Sequence, residues 1–273
     1  MACDAADWLC VANLFSAPHQ VEEKTTSEIA LKRALYQTHS ADISQSMAEA
    51  EDAIAEVSAL IANNLSSYHP EQVWRPFEAE NPLISAALNI VEDILLLAPV
   101  IEGDTCCWTL KAGFVAFPAH WSLAEKMGKP IEAIHAPVPG LDDRLGAHIN
   151  RFFNNMLTDT ITKRRNWTIQ IDDTLFAPSR HHVPSLSKND AGKRCYVRVE
   201  DQRIRKLHQT GWIVFTIRTS LAPIARWQGD KTALISLQTA LSGLSHEMRN
   251  YRGVENYKRP LFDWIDTQIA TLT

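Results

Sequence analysis

The chain has 273 residues, of which 45% are hydrophobic and 22% charged, with eight tryptophans and nine phenylalanines. That composition excludes intrinsic disorder, because so much apolar surface can offset the entropy of ordering, and the length suits one large domain or two small ones. A formal charge of −5 argues against non-specific binding to nucleic acid or to anionic membranes.

The opening MACDAADWLCVANLF has no basic stretch followed by an apolar one, so no secretory leader is expected. The longest apolar run, ILLLAPVI at 94–101, is too short to span a bilayer, and a cytoplasmic protein is the expectation. Cys3, Cys10, Cys106, Cys107 and Cys195 include no CxxC pair and are odd in number for a disulfide framework. Cys106 and Cys107 are neighbours on a predicted strand and point to opposite faces, as packing thiols of a reducing compartment.

Residues 27–67 carry Ala, Leu, Ile and Val at three- and four-residue spacing between charges, which predicts helix. The three prolines of YHPEQVWRPFEAENP (68–82) predict a surface connection. ALNIVEDILLLAPVI and CCWTLKAGFVAFP, separated by EGDT, predict a hairpin. A second amphipathic helix is predicted over 142–157, with Leu145, Ile149, Phe152, Phe153 and Met156 on one stripe. Strands follow at 165–171, 194–207 and 211–221. The polar loop between the first two, which contains His181-His182, suits a lid or a partner surface. Adjacent histidines on a polar loop are poorly placed to share one metal. From about 230 to 272 the pattern is helical, with a break at NYRGVENYKRP. Runs of strands, rather than βαβ alternation, predict an α+β fold with an antiparallel sheet of about five strands. The expected organisation is a single domain: a helical part over 1–80, a sheet core over 83–225 and a helical part over 226–273.

One stretch calls for chemistry, HWSLAEKMGKPIEAIHAPVPG at 120–140. Ser122 and Glu125 form a capping-box pattern, and Gly128 suits a left-handed C-terminal cap. Pro130 suits the first position of a further turn, which carries Ile131 and Ile134 and ends at His135. Pro137 is expected to push Ala136 out of the helical region. A ring held in this way suits an axial metal or haem ligand, and equally a helix-capping histidine. The nucleophile elbow, the phosphate loop, the dinucleotide fingerprint and the HExxH zinc motif are all missing.

VEDILLL, AGFVAFPAHWSLAEKMGKPIEAIHAPVPG, RFF, RRNWTI, VRVEDQRIRKL and VFTIRTSLAPI occur in order and closely resemble the haem-dependent oxidative N-demethylase alpha-subunit-like family. The resemblance covers nearly the whole chain. It implies a PAS-like fold enclosing haem b, and a monooxygenase that acts with O2 on small alkylamines such as dimethylamine and releases formaldehyde. Electrons are expected from a separate reductase that carries NADPH-reduced flavin and an iron–sulfur cluster, so a hetero-oligomer is possible. Within the family motif IH.PVP, His135 is the expected proximal iron ligand. Arg165, Asn166 and Arg198 are candidates for the haem propionates, with a surface ion pair as the alternative. Arg218 could face a propionate or cap the sheet. Glu200 could orient a distal water, a proton relay or an amine cation; a structural salt bridge with Arg203 or Arg205 is its alternative. Phe117, Trp121 and Trp167 suit a pocket wall or the core. Val91, Asp201 and His208 depart from the family pattern, which expects a polar residue, Arg and Pro there. The rival functions are a haem-PAS gas or redox sensor without turnover, and a haemless interaction domain.

Overall fold

Strand-forming runs with side chains alternating between two buried faces can satisfy their backbone only by pairing with one another. Here they form one antiparallel sheet. The computed structural model describes residues 7–10, 14–17, 20–72, 75, 77, 81–103, 105–140, 143–179 and 185–272. Its strands are β1 (Ser44–Ser46), β2 (Asp93–Glu102), β3 (Thr105–Phe114), β4 (Ile161–Ile171), β5 (Cys195–Lys206) and β6 (Ile213–Pro223), in the order β1-β3-β2-β6-β5-β4. The α+β class stands, with six strands in place of about five.

The additional strand interrupts the stretch expected to be one helix. Residues 27–67 divide into α1 (Val21–Ile43), β1, a 3-10 turn at Ala48–Ala50 and the start of α2 (Glu51–Tyr68). Ser44, Gln45 and Ser46 pair with Phe114, Gly113 and Ala112, so the open edge of β3 takes backbone groups that a continuous helix would have kept. The remaining helices are α3 (Pro82–Ala87), α4 (Leu123–Lys126), α5 (Ile131–His135), α6 (Asp143–Asn154), α7 (Lys188–Arg194), α8 (Lys231–Ser242), α9 (His246–Arg252) and α10 (Lys258–Thr271). No described helix is long and apolar enough to cross a membrane. The α7 helix lies in the loop expected to be a lid or partner surface. Gly192 brings it so close to Trp264 of α10 that a Cβ would clash with the indole, so this part of the loop is packed in place. His181 and His182 lie outside the described residues.

Register decides which side chains meet. Arg164, Asn166 and Thr168 of β4 stand opposite Gln202, Glu200 and Arg198 of β5, and these stand opposite Ile217, Thr219 and Leu221 of β6. Directly opposed residues share a face. This first face is covered by the β3–β4 connection. Leu97, Ile204 and Ile213 pack against Ile131, Phe153 and Met156, while Leu95 and Leu110 pack with Trp121, Leu123, Met127 and Ile134.

The second face receives both ends of the chain. Ala53, Ile54, Val57, Ile61 and Leu65 of α2 pack over Ile94, Leu96, Phe114 and Val214. Burying each large side chain contributes about 1.5–3 kcal/mol. The C-terminal helices pack over Ile169 and Cys195. The α1 helix buries Thr25, Glu28, Lys32 and Ile43, while Leu31 is exposed. Leu35, Tyr36 and Ile43 farther along pack on the core as expected, but its N-terminal half thus buries polar side chains. The reason lies opposite: Glu28 pairs with Arg218, and Lys32 Nζ lies 3.7 Å from Asp93 Oδ1.

Candidate functional site around His135

The segment that carries His135 is held by backbone pairing before it becomes helical. β1 covers only part of the β3 edge, and residues 128–130 take the next part. Gly128 N–H donates to Leu110 O at 2.8 Å, Leu110 N–H donates to Lys129 O at 3.1 Å, and Pro130 bridges to Thr109. Gly128 has φ +74°, the left-handed conformation that glycine adopts without a Cβ penalty. The Ser122 side chain makes no capping hydrogen bond, so the capping box is not formed. Pro130 is the N-cap of α5 rather than its first helical residue, and His135 is its last, as predicted. Ala136 keeps helical angles (φ −48°, ψ −33°), contrary to expectation. The turn closed by Val138 N–H donating to His135 O at 2.8 Å outweighs the preference imposed by Pro137.

His135 Nδ1 lies 2.9 Å from Ile131 O. A carbonyl oxygen only accepts, so Nδ1 carries the hydrogen and Nε2 keeps its lone pair. Burial pushes the imidazole pKa below its ordinary value. The Ile131 bond opposes this, the positive charges of Arg164 and Lys126 add to it, and Glu132 opposes it. The ring is therefore neutral near pH 7. A histidine oriented through Nδ1 by a backbone carbonyl is poised for metal binding at Nε2. Its helix is braced on three sides. Lys126 Nζ donates to Ile134 O at 3.0 Å. Glu132 accepts from Asn150 Nδ2, and Asn150 Oδ1 in turn accepts from Trp108 N–H at 3.3 Å. Gly146 of α6 lies so close to Glu132 that a Cβ there would clash with its Cγ.

The other expected site residues divide by face. Glu200 and Asn166 are cross-strand neighbours on the His135 side of the sheet. Glu200 is 14% exposed; its Oε1 lies 3.4 Å from Arg198 Nε, and its Oε2 accepts from Gln202 Nε2 at 3.0 Å. In place of the salt bridge to Arg203 or Arg205 expected as its alternative, Arg198 holds it; Arg203 and Arg205 lie on the opposite face of β5. Arg198 shares this face but is only 1% exposed, with its guanidinium committed to protein groups: Glu200, Gln170 Oε1 at 3.3 Å, Thr219 Oγ1 at 3.3 Å and Phe117 O. Arg218 is on the opposite face, bound to Glu28 and to Thr219 O at 2.8 Å. Arg165 also lies on the opposite face, 63% exposed, with Nε 2.8 Å from Asp201 Oδ2. It forms the surface ion pair given as its alternative. Trp121 belongs to the His135 side, Phe117 to the core beneath α2, and Trp167 to the C-terminal core.

Arg164 is the residue that the sequence reading passed over. It shares the face of Asn166 and Glu200 and acts on the His135 ring, whereas its neighbour Arg165 points away. The two-residue strand period, counted from Asn166, was the available signal. Gln202 was missed as well. It is buried on the same face, and its Oε1 has no hydrogen-bond partner among the described residues.

Behind this surface, Asp93 Oδ1 accepts from Ala116 N–H and Oδ2 from Phe117 N–H, both at 2.9 Å. With Arg198 on Phe117 O, these bonds clamp the chain where it leaves β3 toward α4 and α5.

A family model described as haem-dependent oxidative N-demethylase, alpha subunit-like, matches residues 15–262. The chain belongs to that family. The match to this oxidative demethylase family spans every strand of the sheet and all of α4, α5 and α6. Among the described residues, no three His, Cys, Asp or Glu side chains gather as a metal cluster. Burial also pushes the thiol of Cys10 up to about 11 and that of Cys195 up to about 12, which leaves both as thiols at neutral pH.

Proposed function

We propose that this chain is a haem-dependent monooxygenase that oxidatively removes a methyl group from a small N-methyl amine of the dimethylamine type. The carrying observation is the His135 ring, anchored by Nδ1 to Ile131 O at 2.9 Å and kept neutral by burial, with Nε2 available as a proximal ligand. A porphyrin needs only one such side chain to fix its iron, which suits a structure without a multi-residue metal cluster among its described residues. The partly buried Leu95, Phe215 and Ile217 supply apolar surface on the same face, and Arg164 and Lys126 supply positive charge suited to propionates. These residues fit haem. The chain has no CxxC pair for covalent thioether links, so haem b, which is held without them, is the proposed form. Helices packed against an antiparallel sheet support a PAS-like architecture, and one sheet that receives helices from both ends supports a single domain over 1–273.

Haem, when bound, supplies the redox centre at which O2 is reduced and an oxygen atom is delivered. The protein's own groups handle the amine. Glu200, aimed by Arg198 and Gln202, accepts a hydrogen bond from the substrate N–H and holds a methyl group toward the pocket. Asn166, directly opposite Glu200, offers an amide to the same substrate or to a propionate. The overall step consumes one O2, two electrons and two protons. It gives water and an N-hydroxymethyl amine, whose C–N bond then breaks to release formaldehyde and the shorter amine. The electrons require a partner, here an NADPH-dependent reductase with flavin and iron–sulfur centres, in keeping with the family's designation as an alpha subunit.

The test is the absorption spectrum of the protein reconstituted with haemin, for wild type and His135→Ala. A histidine-ligated Soret band that is lost or shifted in the variant supports the assignment, and formaldehyde release with a reductase then tests turnover. An unchanged spectrum removes His135 as ligand, and no haem uptake by either protein removes the haem reading.

A further inference from the structure

The β6 strand lies between β2 and β5, and its two faces are covered unequally. Val214, Thr216 and Arg218 on the second face are buried, whereas Phe215 and Ile217 on the first remain partly exposed. Leu95 of β2 and Glu200 of β5 are partly exposed on that first face as well. The β3–β4 connection, seated on Leu97, Ile204 and Ile213, thus leaves a cleft over the middle of the sheet.

Gln202 borders this cleft. It stands opposite Ile217 on one side and Arg164 on the other, and Glu200 precedes it by two residues on the same face. It is 7% exposed. Its Nε2 donates to Glu200 Oε2 at 3.0 Å. A carboxylate only accepts, so the amide has one workable orientation, with its NH2 on Glu200 and its carbonyl turned away. That carbonyl oxygen, Oε1, has no hydrogen-bond partner among the described residues. A buried acceptor without a donor has lost its hydration and gained nothing for it, and such atoms mark places that a ligand or an ordered water completes. The buried cation on this face, Arg198, is committed to Glu200, Gln170, Thr219 and Phe117 O. Arg164 is exposed on the edge strand. The middle of the cleft therefore presents acceptors: the Glu200 carboxylate and, joined to it through one amide, Gln202 Oε1.

Two acceptors so close together lie within reach of a single nitrogen. A protonated primary or secondary amine carries at least two N–H donors and satisfies both. A tertiary ammonium has one and leaves Oε1 unsatisfied. We propose, resting on the assignment of Glu200 to the amine above, that Gln202 is a specificity-determining residue. Its Oε1 accepts the second N–H of the substrate ammonium, so the site selects amines by their number of N–H bonds and takes a secondary N-methyl ammonium over a tertiary one. A site built to hydrogen-bond an N–H rejects the analogue that lacks it more strongly than an apolar pocket rejects one extra methyl group.

Shape and donor number are separated by isopropylammonium, which has nearly the outline of trimethylammonium but three N–H bonds in place of one. Binding of dimethylammonium, isopropylammonium and trimethylammonium is measured by calorimetry on the haem-free chain and by the Soret shift on the haem-loaded one. Wild type binds the first two at least about tenfold more tightly than trimethylammonium. Gln202→Met keeps the length of the side chain and loses its acceptor, and it narrows that ratio to within about threefold. A Gln202 that only braced Glu200 would, when replaced, weaken all three ligands alike and leave the ratio unchanged. That preserved ratio would overturn the proposal. So would a wild type that rejects isopropylammonium as strongly as trimethylammonium, since the cleft would then select by volume; this comparison needs no variant. Absence of binding by every amine would overturn it too. Haem uptake is scored separately on the same samples, so failure of the haem reading and failure of ammonium selection are told apart.

Discussion

Asp93→Asn is the substitution with the most informative consequence. Asp93 is fully buried and sits between Lys32 Nζ at 3.7 Å and the two backbone N–H groups of Ala116 and Phe117 at 2.9 Å. Burial pushes the Asp93 carboxyl up and the Lys32 ammonium down, and each is the other's largest compensating charge. The amide removes that charge and turns an NH2 group toward one of the two backbone donors. Removing one partner of a buried ion pair costs about 3–5 kcal/mol. That is a large part of the roughly 5–15 kcal/mol by which a domain is stable. Lys32 keeps the carbonyls of Glu92 and Ile90 as acceptors, so it can shed its proton and remain hydrogen-bonded, which places the expected loss near the lower figure. Lys32→Met alone strands the carboxylate, whereas Lys32→Met/Asp93→Asn removes both charges. The double variant is therefore more stable than the sum of the singles by at least about 1 kcal/mol. Urea unfolding of the four haem-free proteins, with m-values compared, reads this directly. Additive losses, or an Asp93→Asn loss below about 1 kcal/mol, would refute the ion-pair account of this clamp.

Three further outcomes follow from the site. In Gly146→Ala, the higher helix propensity of alanine, about 1 kcal/mol, is opposed by an overpacking cost of about 1–3 kcal/mol against Glu132. The net stability loss is therefore about 0–2 kcal/mol, while haem affinity falls at least about tenfold because α5 must move; an unchanged haem titration would disprove the contact. The depressed His135 pKa makes the unfolded chain bind more protons than the native one below the ordinary value near 6.5. Stability of the haem-free protein is thus fully present above about pH 6.5 and is lost as pH falls toward the native pKa, with a slope of up to about 1.4 kcal/mol per pH unit. His135→Ala removes this slope in urea midpoints measured across pH 5 to 7.5, and a persistent slope would assign it elsewhere. Finally, Arg164→Gln raises the His135 pKa and weakens haem binding several-fold, while Arg165→Gln does neither. An NMR titration of the imidazole distinguishes the two, and equal effects would contradict the register of β4.

What could be read from the sequence was local. The EGDT hairpin, the antiparallel class and the termination of a helical turn at His135 each depend on a few neighbouring residues, and all three are present. What could not be read depends on distant partners. Ser44–Ser46 are a strand because β3 has an open edge about seventy residues later. Lys32 is buried because Asp93 waits behind it, so α1 presents charge where the pattern promised leucine. Arg165 and Arg164 are chemically equivalent in RRNW, and only the pairing of Asn166 with Glu200 decides which of them faces the pocket. Ala136 kept helical angles because a turn hydrogen bond three residues long outweighed a steric preference.

The two candidate site groups, His135 and Glu200, come from a helical connection and a central strand, and one buried assembly positions both. Asp93 and Arg198 grip the amides and carbonyl at Ala116 and Phe117, which fixes where the chain departs toward α5. The same guanidinium holds Glu200 through Nε, and the same carboxylate is charge-compensated by Lys32 from the far side of the sheet. Movement of α1 at Lys32 is therefore felt by the carboxylate that anchors the His135 segment and by the arginine that aims Glu200. This accounts for the buried polar stripe on α1. An apolar α1 would bury more surface, but it would leave Asp93 and Arg218, on opposite faces of the sheet, as uncompensated buried charges, and the clamp holding the two halves of the site in register would open.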